Sequence, residues 1–224
     1  MTAATRPDID SPHPLTADQI AQFRRDGYIK LKDVLSADVI ARYGPVITAE
    51  VHRLNTMHLP IEQRDTYSKA FLQVMNIWTK NETVKEFCFG KKLTRLAAAL
   101  LGVSGVRMYH DQALYKEPGG GITPWHADQY YWPLSNANTV TAWIPLQATP
   151  MELGPLAFAA GSHKFEAGRE LGISDESVDA TPTLVFCTAT SDSQTPNTGP
   201  RITPPLMSSR RKAQPSGRRP PSLR

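Results

Sequence analysis

The hydrophobic period of this chain changes after Gly102, and that change limits its fold more than any other feature. Over Lys91–Leu101 the apolar residues recur at helical spacing, and from Val106 they recur every second residue. Leu93, Leu96, Ala97, Leu100 and Leu101 share one face of a helix over Lys91–Leu101, and Gly102 supplies its left-handed stop. Val106, Met108, His110, Gln112 and Leu114 then fall on one side of a strand, opposite Arg107, Tyr109, Asp111, Ala113 and Tyr115. Further strand candidates lie around 125–131, 139–146 and 155–159. Helices first and closely spaced strands afterwards fit an α+β domain, with the helices packed on a β-sandwich.

The helical half has its own punctuation. Residues 1–14 are polar, contain three prolines and read as a loose arm. Thr16 and Gln19 form a capping box for a short helix carrying Ile20 and Phe23, which Gly27 ends. Tyr28 to Leu35 reads as a strand. Ser36 caps a second helix with Val39, Ile40, Tyr43, Ile47, Val51 and Leu54 on its apolar face, and Pro45 is expected to kink or break it. Residues 55–70 read as irregular. Asn81 opens a short helix through Phe89.

Charge and composition divide the chain again near residue 178. Thr181 to Arg224 holds seven Lys/Arg and one Asp, a net +6, while the other 18 basic and 20 acidic residues give −2. From Asp179 the chain has eight of its nineteen prolines and one aromatic, Phe186. Such a segment buries too little apolar surface to offset its ordering entropy, so 179–224 is expected to be a disordered basic tail. Clustered Lys/Arg would also suit a nucleic-acid arm, but stacking aromatics are nearly absent, and specific nucleic-acid binding is not expected. Two cysteines, Cys88 and Cys187, lie far apart without metal-ligand spacing. They fit a reduced, cytoplasmic setting. Neither a signal peptide nor an apolar run of membrane-spanning length is evident.

Chemistry concentrates at His126-Ala127-Asp128. Alternation on a strand puts His126 and Asp128 on one side and Ala127 on the other. An imidazole and a carboxylate so placed supply two ligands of the 2-His-1-carboxylate face that holds non-haem Fe(II) with open positions. Alone, a His-x-Asp triplet equally fits a surface pair on a loop. Its surroundings favour a site: Gly119-Gly120-Gly121 precede it as a flexible turn, and Tyr130, Tyr131 and Trp132 follow. The glycines lack the Lys-Ser/Thr and helix start of a phosphate loop.

The run Leu114–Pro133, followed by Thr141-Ala142-Trp143-Ile144-Pro145-Leu146 and Gly161-Ser162-His163-Lys164, resembles the phytanoyl-CoA dioxygenase family over roughly 15–178. The resemblance implies a double-stranded β-helix, or jelly-roll, with N-terminal helices. It implies an Fe(II)- and 2-oxoglutarate-dependent dioxygenase that uses O2 to hydroxylate a small organic substrate, with ascorbate as an optional reductant. By the same resemblance His126 and Asp128 bind the metal, Trp143 and Gln112 line the 2-oxoglutarate pocket, and Gln73 reaches it. Tyr130 and Trp132 shape the substrate mouth. His163 is mostly structural, and His110 is expected to be packed or hydrogen-bonded.

The family also uses a later His and, about ten residues on, an Arg for the distal carboxylate of the keto acid. No histidine occurs after His163. The expectation is therefore a 15–178 domain incomplete at its C-terminus, as a frameshift or truncation would leave it, that folds poorly and turns over little. The alternative is a non-catalytic, degenerate jelly-roll that binds a small molecule or partner.

Overall fold

The computed structural model describes residues 6–136 and 138–178. All of these lie in one of the chain's two units; the other, Asp192–Arg224, falls outside the described residues, as do the expected basic tail and Cys187.

Helix α1 (Ala17–Asp26) begins at the expected capping box: Thr16 accepts from the Gln19 amide and Gln19 reaches back to the Thr16 amide. It ends at Gly27, whose φ of 82° places it in the left-handed region. Helix α2 (Ala37–Leu54) starts at Ser36 and runs unbroken through Pro45. The expected break does not occur. Val39, Tyr43, Ile47 and Val51 are buried along one face, and burying side chains of this size contributes roughly 1.5–3 kcal/mol each. That outweighs the one amide donor the exposed proline removes. Residues 55–70, expected to be irregular, hold a 3-10 turn at Ile61–Gln63 and helix α3 (Thr66–Ala70), capped by Asp65. Helices α4 (Glu82–Cys88) and α5 (Lys91–Leu101) follow the sequence reading, with Asn81 capping the first and Gly102 ending the second.

Two strands pair antiparallel, β1 (Leu72–Met75) with β2 (Gln112–Tyr115), Leu72 opposite Tyr115 and Met75 opposite Gln112. Leu72 and Val74 are buried, and Ala113 and Tyr115 pack beside them against α2 and α4. Gln73, Met75, Gln112 and Leu114 face the other way. The Asp111 carboxylate ties the strand ends together by accepting from the Ile77 and Trp78 amides.

The apolar interior has two parts. One joins α2, β1 and α4 around Tyr43, Val51, Ile77 and Val84; the other joins α1 and α5 around Phe23, Leu100 and Leu101. The stretch 139–146 runs along both, with Val140 on the second and Ile144 and Leu146 on the first.

The other expected strands are absent among the described residues. Tyr28–Leu35 bends at Asp33, which has a φ of 56°. Residues 139–146 and 155–159 have no strand neighbour to pair with, and Pro145 lacks a donor. Near 125–131 the buried Ala127 donates to the Leu171 carbonyl at 2.8 Å, and the chain then turns into a 3-10 segment at Asp128–Tyr131. Helices with a two-stranded sheet are thus what the described residues build, and the further strands of a jelly-roll are not formed among them.

Candidate active site

A large cavity of about 2030 Å³ runs along the two-stranded sheet, helices α2, α4 and α5 and the 138–158 stretch. Gln73, Gln112, His126, Asp128 and Trp143, the five residues expected to hold the metal and the keto acid, all line it. Its size exceeds the roughly 300–1,000 Å³ of common small-ligand pockets, because 139–149 passes it as unpaired chain.

His126 and Asp128 do not sit on a barrel strand. They nevertheless face the same way, because Ala127 between them keeps extended angles, φ −108° and ψ 122°. His126 Nε2 lies 3.3 Å from Asp128 Oδ1. The other ring nitrogen, Nδ1, is 2.8 Å from the Pro124 carbonyl and donates its proton there. A backbone acceptor on the far nitrogen is how metal-binding histidines are commonly oriented. Burial pushes the His126 imidazolium down, but the Asp128 carboxylate and the Pro124 carbonyl outweigh it and hold the group above its ordinary value. Two lone-pair donors this close favour a positive charge between them, either a proton or a metal ion. Adjacent ligands of an octahedral ion at about 2.1 Å stand roughly 3 Å apart, which the 3.3 Å separation fits. The pair thus suits two positions of a ferrous site; no group of three or more His, Cys, Asp and Glu converges among the described residues.

Gln73 and Gln112 meet on the open face of the sheet, Gln73 Nε2 donating to Gln112 Oε1 at 2.8 Å. Tyr67, in a stretch that reads as irregular, donates its hydroxyl to Gln73 Oε1 at 2.8 Å. Tyr67 also packs edge-on to Tyr131, whose ring meets that of His126. Burial, with Tyr131 and Asp128 nearby, holds the Tyr67 hydroxyl above its ordinary value. The sequence offered no local signal for Tyr67, since its contacts depend on α3 docking beside β1. Tyr131 lines the cavity where Tyr130 was expected; Tyr130 instead covers Gly172. Trp132 lines the cavity with His110, and their rings pack edge to face.

The glycine turn is anchored, contrary to the expectation of a flexible one. The Gly121 amide donates to the Lys69 carbonyl at 2.9 Å, and a Cβ at Gly120 would press on the Lys69 and Glu117 carbonyls. Arg64 holds the Glu117 carboxylate. His163 lies remote in role: it is buried beneath Gly27, near the Arg24 carbonyl at 3.3 Å. The Cys88 thiol is pushed up to about 12 by burial and by Asp111, so it is unreactive near neutrality.

The phytanoyl-CoA dioxygenase family model matches residues 23–206, most of the chain, and this protein belongs to that family. The match continues past residue 178 into the stretch the sequence sets apart as a tail. Among curated proteins, a probable alpha-ketoglutarate-dependent hypophosphite dioxygenase of Stutzerimonas stutzeri is 24% identical over 158 residues, covering 66% of this chain and 54% of that protein. Ectoine dioxygenases of Streptomyces avermitilis and Sphingopyxis alaskensis are each 27% identical, covering 71% and 67% of this chain and 55% and 51% of their own lengths. The chain thus spans about half the length of the curated relatives it matches. No solved structure matches it significantly. No helix among the described residues is long and apolar enough to cross a membrane.

Proposed function

We propose that this chain acts as an Fe(II)- and 2-oxoglutarate-dependent dioxygenase that hydroxylates a small organic substrate. One observation carries the reading: His126 and Asp128 converge at 3.3 Å on a cavity that Gln73, Gln112 and Trp143 also line. Family membership and relatives named as dioxygenases support it. Bound Fe(II) with the keto acid would supply the oxidative chemistry, coupling decarboxylation of 2-oxoglutarate to hydroxylation of a C–H bond.

The protein's share is placement. His126, locked by Pro124, offers Nε2, and Asp128 offers a carboxylate oxygen. Tyr67 holds Gln73 and Gln73 holds Gln112, leaving the Gln112 amide hydrogens to donate to an oxygen of the keto acid. Trp143, half exposed along the cavity, would cover the cosubstrate's carbon chain. Completion of the family's jelly-roll around this site belongs to the same proposal. Among the described residues His126 and Asp128 are the two donors brought together, and two donors grip iron less tightly than three, so weak iron affinity is expected of that pair by itself.

Anaerobic addition of Fe(II) and 2-oxoglutarate tests the reading. The weak visible charge-transfer band of an iron–keto acid chelate should appear, and admission of O2 should release succinate. His126→Ala should abolish both. A chain that binds small molecules without forming that chromophore would be a non-catalytic member.

A further inference from the structure

We infer that Arg64 is a positioning residue for His126: through Glu117 it latches the turn that carries His126 to the cavity. Arg64 stands between the 3-10 turn Ile61–Gln63 and α3. Its side chain is only 7% exposed. Nε donates to the Leu59 carbonyl at 2.9 Å, and the two terminal nitrogens donate to separate oxygens of Glu117. A guanidinium fork met by both oxygens of a carboxylate fixes angle as well as distance. The two partners are 53 positions apart, so the pair ties the helical half to the start of the glycine turn.

Beyond Glu117 the chain has little slack. The Gly120 amide donates to the Glu117 carbonyl and the Gly121 amide to the Lys69 carbonyl, both at 2.9 Å. The Gly121 carbonyl and Thr123 Oγ1 both accept from the Lys116 ammonium. The Pro124 carbonyl then accepts from His126 Nδ1. On the far side the Ala127 amide donates to the Leu171 carbonyl. His126 is thus set between two anchors, and the Pro124 acceptor that orients its ring belongs to the turn Arg64 holds. Without the fork, Glu117 is free to move into water, and the turn keeps only its backbone tie to Lys69. The inference rests on His126 being the metal ligand proposed above, but its first measurement needs no metal.

Carbethoxylation of histidines in the metal-free, full-length chain, followed residue by residue by mass spectrometry, reads how firmly His126 is held. In wild type His126 should react more slowly than His52, which is exposed on α2. Arg64→Met and Glu117→Gln should each speed His126 at least about threefold relative to His52, as a local opening would. The double variant should react no faster than Arg64→Met, because both changes break one contact. Asn81→Ala, which loosens the cap of α4 instead, should leave the His126 rate unchanged. In anaerobic dialysis Arg64→Met and Glu117→Gln should hold Fe(II) about tenfold more weakly, and Asn81→Ala should hold it as wild type does. An unchanged His126 rate in the latch variants, additive effects in the double variant, or equal acceleration by Asn81→Ala overturns the inference. So does undiminished iron affinity in the latch variants. If Arg64→Met does not fold, Glu117→Gln, which keeps the shape and one acceptor oxygen, decides on the same rates. Faster His126 in the latch variants with no iron held by any of the proteins would support the latch and sink the oxygenase reading alone.

Discussion

His163 shows how much a single side chain can depend on its setting. It is only 3% exposed, under the left-handed end of α1, and its Nδ1 has no hydrogen-bond partner among the described residues. Burial is the main reason its imidazolium lies below its ordinary value. The folded chain therefore binds fewer protons than the unfolded chain through that window. The stabilisation is complete above about pH 6.5, the unfolded value, and is lost as pH falls through the folded one. Thermal unfolding should occur at a lower temperature at pH 5 than at pH 7.5, and His163→Gln should flatten that difference. A second residue prediction concerns Tyr67. Tyr67→Phe removes the donor that orients Gln73, and 2-oxoglutarate should bind about three- to tenfold more weakly with little change in unfolding temperature. An unchanged affinity would detach Tyr67 from the site.

Elements whose signals are local were legible in the sequence. The Thr16 and Asn81 caps, the Gly27 and Gly102 stops and the apolar faces of α2 and α5 each depend on residues within a few positions. Strands depend on partners far along the chain, so alternation over 106–115 yielded only Gln112–Tyr115, the part that meets β1. Pro45 misled for a different reason: a buried helix face outweighs one missing hydrogen bond. Its cost should still be measurable. Pro45→Ala restores the donor at an exposed position and should stabilise the chain by about 1 kcal/mol or more in denaturant unfolding. A destabilised variant would mean the proline ring contributes packing that its exposure conceals. Asn81→Ala should cost about 1 kcal/mol, since Asn81 Oδ1 accepts from the Thr83 and Val84 amides.

At the scale of the molecule, the cavity is lined from the helices, from the two-stranded sheet and from the 123–158 stretch together. Sequence alternation gave the shared side of His126 and Asp128 correctly, though not by the expected strand. One extended residue, Ala127, was enough. The pairing of Gln73 with Gln112 and its link to Tyr67 were beyond local pattern, because 39 positions separate the two glutamines. Anchoring of the glycine turn was hidden likewise, since Lys69 and Arg64 reach it from the helical half.

Equilibrium dialysis of Fe(II) under anaerobic conditions tests the central claim most directly, that one imidazole and one carboxylate hold the metal together. Wild type should retain one iron per chain; His126→Ala and Asp128→Ala should each lose affinity by at least about tenfold; His110→Gln, altered in the same cavity, should keep it. Equal retention by all four proteins, or a loss confined to His110→Gln, would contradict the account.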